Sequence, residues 1–268
     1  MNWPPDEMTD FEARPVTLCG ATKRVLVSGT GPAVIIMSEM PGIGPQVLRF
    51  ARWVRDAGMT VFLPSLFGRD GAVPDVDEAA AIFRGACISA EFRALEDGRP
   101  SPVSDWLRRL ARLAHEECGG PGVGAIGMCF TGNFAVSLLL EPSVIAAVLA
   151  QPALPLDDPD ALESTPEELA AVRARIDAED MHVPAYRFAG DSFCRAERFA
   201  AYAQAIGPRF KPHVLPNDSA NPEVPPFTAA FVRTPHSVFT AHLIDREGEP
   251  TANARDEVIA YFRGELVR

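Results

Sequence analysis

The sequence lacks any apolar run long enough to cross a membrane. Its longest apolar runs, residues 135–140 and 144–150, are separated by Glu141 and Pro142 and fall well short of the ~20 residues that a membrane-spanning helix needs. The N-terminus is acidic and contains prolines, without the basic start and apolar stretch of a secretion signal. These absences predict a soluble protein that is not exported.

Basic clusters and paired cysteines are missing as well. The chain has 25 Lys and Arg against 36 Asp and Glu, a formal net charge of −11, so it should repel phosphate backbones and anionic lipids. Its 5 cysteines are scattered and include no Cys-x-x-Cys pair, which argues against a disulfide framework or a zinc site and favours a reducing compartment. We therefore expect a cytoplasmic protein that binds neither nucleic acid nor membranes.

The chain does contain enough apolar material for a large core, since 47% of its 268 residues are hydrophobic. Short apolar runs alternate with amphipathic segments, at residues 33–37, 59–63, 123–126, 144–149, 185–189 and 213–215. That alternation predicts an α/β fold, a mostly parallel sheet with helices on both faces. Two earlier runs, residues 16–19 and 24–28, flank Gly20 and predict an antiparallel hairpin at the sheet edge. No repeat or linker divides the chain, so we expect one domain over residues 1–268.

The sequence indicates helices and loops at fewer positions than it indicates strands. Thr165, Pro166 and Glu168 have the spacing of a helix start, and a last helix is expected over residues 253–266. Residues 216–235 are rich in proline and small polar residues and are expected to form a long loop with little secondary structure. Loops of this length are often lids or binding loops, and this one leads directly into His236.

The most informative segment is residues 123–136, in which an apolar strand ends at Gly127 and a helix is expected to begin near Cys129. This arrangement is a nucleophile elbow, with a reactive side chain at the tip of a sharp turn. The following helix start would stabilise a Cys129 thiolate, and the N–H of Phe130 could bind an oxyanion. Thr131 stands where glycine is usual, and Gly132 follows it. The segment also fits a buried, unreactive cysteine in a glycine-rich turn.

An elbow requires an acid and then a base downstream, each after a late strand. Asp191 follows the strand run that ends at Gly190, although an aspartate here could instead cap a helix over residues 195–205. Of the 5 histidines, His236 follows the last strand and the long loop, whereas His242 is expected to be a packing or surface residue. Cys129, Asp191 and His236 therefore form the candidate triad.

These segments resemble the dienelactone hydrolases of the α/β-hydrolase superfamily over nearly the whole chain. The resemblance is carried by residues 38–42 (Ser-Glu-Met-Pro-Gly), 127–132 (Gly-Met-Cys-Phe-Thr-Gly), 190–191 (Gly-Asp) and 235–237 (Pro-His-Ser). A cysteine at the elbow is rare on this fold, because most relatives use serine. The resemblance implies the α/β-hydrolase fold.

The resemblance also implies a mechanism, in which Cys129 attacks an ester or lactone carbonyl and forms an acyl-enzyme without a cofactor. His236 would serve as the base and Asp191 would orient it. Glu39 matches a family glutamate that takes part in converting the thiol to its thiolate, and Met40 would donate the second oxyanion N–H. Read without the family, Glu39 is an acidic residue at a strand end, where ligand sites gather, or a solvated loop carboxylate.

Other features of the site stay open at this stage. Family members that act on dienelactone hold its carboxylate with arginines, and Arg69, Arg84 and Arg93 are neighbours that match no family motif. The same triad also serves thioesterases, amidases and peptidases, and a non-catalytic binding or redox-sensing protein could retain the fold. We expect a small-molecule ester or lactone substrate and a monomer or small homo-oligomer.

Overall fold

The computed structural model describes residues 3–88 and 101–267, except for the side chains of residues 87 and 88, and these residues build one eight-stranded sheet. The strands are β1 (Glu12–Leu18), β2 (Ala21–Gly29), β3 (Ala33–Met37), β4 (Thr60–Pro64), β5 (Val123–Met128), β6 (Val144–Ala150), β7 (Val183–Phe188) and β8 (Phe210–Leu215). Their order across the sheet is β1-β2-β4-β3-β5-β6-β7-β8. All six predicted core runs are strands.

The strand directions also agree with the prediction from the sequence. β1 and β2 pair antiparallel around Gly20 and lie at one edge, and β2 runs antiparallel to β4. From β4 to β8 every neighbouring pair is parallel. The fold is that of the α/β hydrolases, as predicted, and the carboxyl ends of its parallel strands meet at one edge where ligand sites are usually found.

The described ranges contain eight α-helices, six between strands and two after β8. They are α1 (Pro45–Asp56), α2 (Val76–Ile88), α3 (Pro102–Cys118), α4 (Gly132–Leu138), α5 (Pro166–Ala178), α6 (Ala196–Ile206), α7 (Pro226–Phe231) and α8 (Pro250–Leu266). The start of α5 is the predicted one, because the Thr165 hydroxyl accepts the N–H of Glu168 and the Glu168 carboxylate accepts the N–H of Thr165. No helix in the described part of the chain is both long and apolar enough to cross a membrane.

Strands β3 to β7 are buried on both faces, which explains why they are apolar at consecutive positions. In β3, Ile35 belongs to a buried cluster with residues of α3, α4, α5 and α6, whereas Ile36 belongs to a second cluster with residues of α1 and α8. Each fully buried side chain of this size contributes about 1.5–3 kcal/mol to stability. The sheet is therefore a rigid platform for the loops at its carboxyl edge.

The prediction for residues 216–235 is wrong in part. The segment contains a short 3-10 helix, Asn217–Ser219, and the α-helix α7. Proline in the first turn of a helix costs no hydrogen bond, so Pro226 begins α7 rather than preventing it. Phe227 and Phe231 lie one turn apart on α7, with ring centroids 5.2 Å apart.

Candidate active site

The predicted site residues lie at the carboxyl edge of the parallel strands. Glu39 follows β3, Cys129 follows β5 and Asp191 follows β7, while His236 lies in the segment between α7 and α8. Cys129 and His236 line one cavity of about 190 Å³, together with Glu39, Met40 and Phe130. The fold thus brings together residues that are far apart in the chain.

Cys129 occupies the tip of a sharp turn. Its φ of 55° lies in the left-handed region, which costs a residue with a side chain roughly 1–2 kcal/mol. The turn also needs glycines, because a Cβ on Gly127 would lie 2.2 Å from the carbonyl oxygen of Thr131. A Cβ on Gly132 would lie 2.6 Å from Cα of Pro152. The sequence at the elbow is thus required by close backbone contacts.

Thr131 stands where glycine is usual, and its side chain makes hydrogen bonds to the ends of two strands. It is fully buried, its Oγ1 accepts the Met128 N–H at 2.9 Å, and its hydroxyl lies 2.9 Å from the Met37 carbonyl oxygen as a donor. The hydroxyl therefore ties the end of β5 to the end of β3, which leads into Glu39. The close packing usual for the elbow glycine is carried by Gly132, one position later.

Replacing Thr131 by valine should lower the free energy of unfolding by about 2 kcal/mol, because the buried Met128 N–H would lose its acceptor. Urea unfolding measures the change. Thr131→Ser retains the hydroxyl and is the matched control, with an expected loss well below that of valine. Equal losses for the two variants would show that the methyl group contributes as much as the hydroxyl, which would contradict the role given to the hydroxyl.

His236 and Asp191 form a buried pair. The Nδ1 of His236 lies 2.7 Å from Oδ2 of Asp191, and the two residues are 2% and 3% exposed. The other carboxylate oxygen, Oδ1, accepts the N–H groups of Phe193 and Cys194 at 2.9 and 3.0 Å. Asp191 therefore caps the turn that follows it; the N-cap residue of α6 is Arg195, so the alternative of a cap for the helix over residues 195–205 is wrong.

The imidazole of His236 lines the same cavity as Cys129, and its second ring nitrogen is Nε2. Nε2 is buried and makes no well-aligned hydrogen bond with any described residue, although its ring lines the cavity with Cys129. Burial would lower the pKa of His236, but the Asp191 carboxylate and a Cys129 thiolate outweigh it, so the pKa is raised well above 6.5. The imidazole thus gains a proton readily next to the sulfur and the carboxylate.

This raised pKa predicts a pH-dependent contribution to stability. A histidine whose pKa is higher in the folded than in the unfolded state stabilises the fold fully below its unfolded pKa, about 6.5, and the contribution disappears as the pH rises through the folded value. The difference in unfolding free energy between the wild type and His236→Gln should therefore decrease as the pH rises above about 6.5. Urea unfolding at each pH measures it, and a difference that grows with pH would contradict the assignment.

Glu39 is a buried carboxyl with dedicated partners, not a solvated loop residue. It is 7% exposed, the Thr240 hydroxyl donates to its Oε1, and the Gln151 amide donates to its Oε2 at 3.2 Å. Burial raises the pKa of Glu39, and the hydrogen bond from Thr240 and the charge of His236 oppose the rise. Glu39 is therefore electrostatically connected to the same imidazole as Cys129 and Asp191.

Sequence reasoning missed Gln151 and Thr240 and predicted that His242 is a packing or surface residue. Gln151 follows β6 with a φ of 36°, and its Oε1 accepts the N–H of Val238 at 3.4 Å. His242 is buried, which agrees with a packing residue and not with a surface residue. Its Nδ1 accepts the Ser237 N–H at 3.2 Å. Burial lowers its pKa to about 4, so it stays neutral and supports the backbone next to His236. The position of Gln151 after a predicted strand was the one available signal.

Of the three neighbouring arginines, the two within the described residues do not line the Cys129 cavity. Arg69 lines a second, smaller cavity that also contacts Glu39, and its Nε lies 2.8 Å from Oε1 of Glu78. Arg84 is exposed on α2, and Arg93 lies outside the described residues. Neither Arg69 nor Arg84 lines the Cys129 cavity.

Comparison with known proteins places these features in a family context. A sequence model described as the Dienelactone hydrolase family matches residues 21–202, about two thirds of the chain. A carboxymethylenebutenolidase from Pseudomonas sp. (strain P51) is 28% identical over 124 residues, which are 46% of this chain and 50% of that protein. The match thus spans about half the length of that curated relative.

Solved structures agree at the level of the fold. A putative dienelactone hydrolase from Klebsiella pneumoniae superposes with a TM-score of 0.62 and 17% identity, covering 94% of this chain and 98% of that one. A cold-adapted esterase from an Arctic intertidal metagenomic library superposes with a TM-score of 0.60 and 12% identity, covering 99% and 100% of the two chains. Identities this low show a shared fold and nothing finer.

Proposed function

The chain belongs to the dienelactone hydrolase family, whose model matches residues 21–202, and from this premise we propose that it hydrolyses small carboxylic esters or lactones with Cys129 as the nucleophile. The observation that supports the proposal most is the placement of Cys129 and His236 in one cavity with Asp191 2.7 Å behind the imidazole. We also propose that the protein acts in the cytoplasm on a small molecule and that it needs no cofactor.

In the first half-reaction His236 takes the thiol proton of Cys129, and the sulfur attacks the carbonyl carbon. Asp191 holds the Nδ1 proton of the imidazole, so that Nε2 can act as the base, and it stabilises the imidazolium that forms. The tetrahedral intermediate collapses, the carbon–oxygen bond to the alcohol breaks, and the alcohol leaves with the proton from His236. A thioester on Cys129 remains.

In the second half-reaction His236 takes a proton from water, and the hydroxide attacks the thioester. The carbon–sulfur bond then breaks, the sulfur regains the proton, and the carboxylic acid leaves. The N–H groups of Phe130 and Met40 are the proposed oxyanion donors in both halves. Phe130 and Met40 are both buried in the cavity wall, where low polarity strengthens such hydrogen bonds.

Glu39 would influence the ionisation of Cys129 and His236. Its charge interacts with that of His236, and burial raises its own pKa. A carboxyl with a raised pKa keeps its proton to a higher pH than a solvated one does. We propose that Glu39 takes part in forming the thiolate, as its match to the family glutamate implies.

Turnover of a matched panel tests the proposal. Activated esters, thioesters and anilides of the same acyl group, together with lactones, are compared by kcat/KM. The ester or lactone is expected to be the best substrate. A thioester or anilide preferred by more than about tenfold would favour the thioesterase or amidase alternative. Absence of turnover with every compound, in a cooperatively folded protein, would favour the non-catalytic alternative.

A further inference from the structure

The Cys129 cavity has mostly apolar walls. Eight of its 13 lining residues are apolar, and five of these are phenylalanines. The rings are held by neighbours: Phe130 packs edge-on against Phe67 with centroids 5.6 Å apart, and Phe193 lies 5.3 Å from the ring of His236. The walls are therefore preformed aromatic surfaces next to the nucleophile, which favour an apolar group by burial and by ring contacts.

Two of these eight apolar side chains are largely exposed to solvent at the rim of the cavity. Leu156 is 41% exposed and Phe231, on α7, is 44% exposed. The segment that carries Leu156 is anchored from below by Arg198, a fully buried residue whose guanidinium donates to the carbonyls of Leu154, Pro155, Asp158 and Ala161. An anchored apolar rim around a cavity is a surface that a bound apolar group would cover.

The polar groups of the cavity point to the charge of its occupant. The titratable side chains among its described lining residues are Glu39, Cys129 and His236. A substrate carboxylate in this cavity would enter beside the Glu39 carboxyl and the Cys129 sulfur, both of which are negative when ionised. The one cationic candidate among these three, the His236 imidazole, already pairs with the Asp191 carboxylate at 2.7 Å. Removing an anion from water without a cation of its own costs several kcal/mol, whereas a neutral apolar group has no such cost.

From the walls, the rim and these charges we infer that the preferred substrates are neutral esters with an aryl or branched alkyl group, rather than esters or lactones with a carboxylate. The inference rests on the proposed function, because it concerns the selectivity of the same Cys129 site. Phe231 and Leu156 are the residues that set this selectivity at the rim, and α7 is the element that positions Phe231.

A pair of substrates of equal length tests the inference. The p-nitrophenyl ester of pentanoic acid is neutral, and the mono-p-nitrophenyl ester of glutaric acid has a carboxylate in place of the terminal methyl group. We expect kcat/KM to be about a hundredfold higher for the neutral ester at low ionic strength. Equal values, or a preference for the anionic ester, would overturn the inference while leaving the hydrolase proposal intact.

Variants at the rim separate selectivity from general activity. Phe231→Arg places a cation at the rim and should reduce the preference for the neutral ester by about tenfold or more, chiefly through KM. Val267→Ala is the matched control, because Val267 is 43% exposed but lies beyond α8 and outside the cavity; it should retain the wild-type preference. A Phe231→Arg protein that folds cooperatively with an unchanged preference would overturn the role of the rim.

Failure of the inference and failure of the proposed function give different results. If neither ester is turned over and the ester and lactone panel is inert as well, the proposed function fails and the inference fails with it. If both are turned over without the expected preference, only the inference fails. Pentanoate and benzoate esters compared in the same assay then show which apolar group the cavity accepts better.

Discussion

Replacing Cys129 by alanine should lower kcat/KM for an activated ester by about 10⁴-fold or more, because loss of the nucleophile leaves only binding and oxyanion stabilisation. The fold should remain intact, since Cys129 is only half-buried and alanine tolerates its left-handed φ of 55° no worse than cysteine does. Steady-state kinetics measure the first effect and urea unfolding the second. A decrease of less than about tenfold would show that another residue attacks the substrate.

A second cysteine provides a matched control. Cys19 also has a left-handed φ, 50°, but it lies exposed in the turn between β1 and β2, away from the cavity. Cys19→Ala should leave turnover unchanged. Glycine at either position should raise the free energy of unfolding by about 1 kcal/mol, since glycine adopts this conformation without strain. At Cys129 alone, that gain in stability should accompany the loss of activity.

Replacing Asp191 by asparagine should lower kcat by about 10³-fold to 10⁴-fold, although the two side chains have the same shape. The Oδ1 of asparagine can still accept the N–H groups of Phe193 and Cys194, so the turn should be preserved. The amide NH₂ would then face Nδ1 of His236, which would place the remaining ring proton on Nε2, towards Cys129. A ring in that tautomer cannot accept the thiol proton.

Two readouts distinguish this effect from simple loss of structure. Asp191→Asn should remove much of the pH dependence of stability that His236 contributes, because the Asp191 carboxylate is the largest cause that raises the His236 pKa. Asp218→Asn, an exposed aspartate in the 3-10 helix Asn217–Ser219, should change neither kcat nor that pH dependence. Equal losses of activity in both variants would contradict the role of Asp191.

Local patterns in the sequence were sufficient for the fold. Runs of apolar residues predicted the six strands β3 to β8. Five of them, β3 to β7, are buried along their length, and strands buried on both faces do not alternate apolar and polar residues. The Gly20 turn predicted the antiparallel hairpin β1–β2. The helix α7 escaped prediction because it has only six residues and begins at a proline, a residue that is equally frequent in loops.

The candidate triad was also accessible from the sequence. Cys129 and Asp191 follow strands whose carboxyl ends meet at one edge of a parallel sheet, and His236 follows the last strand. Sequence position therefore restricts each of them to the same region of the molecule. Their catalytic roles remain predictions that the kinetic experiments test.

The sequence by itself determined which residues could meet at the edge of the sheet, because strand periodicity and turn-forming glycines are local properties of the chain. Only the tertiary structure decided what surrounds them: the burial of Glu39 beneath Thr240, 201 positions away, the hydroxyl of Thr131 between β3 and β5, and the apolar rim. Contacts at such separations form only when strands and helices pack. The energy of each group then depends on neighbours that no local pattern specifies.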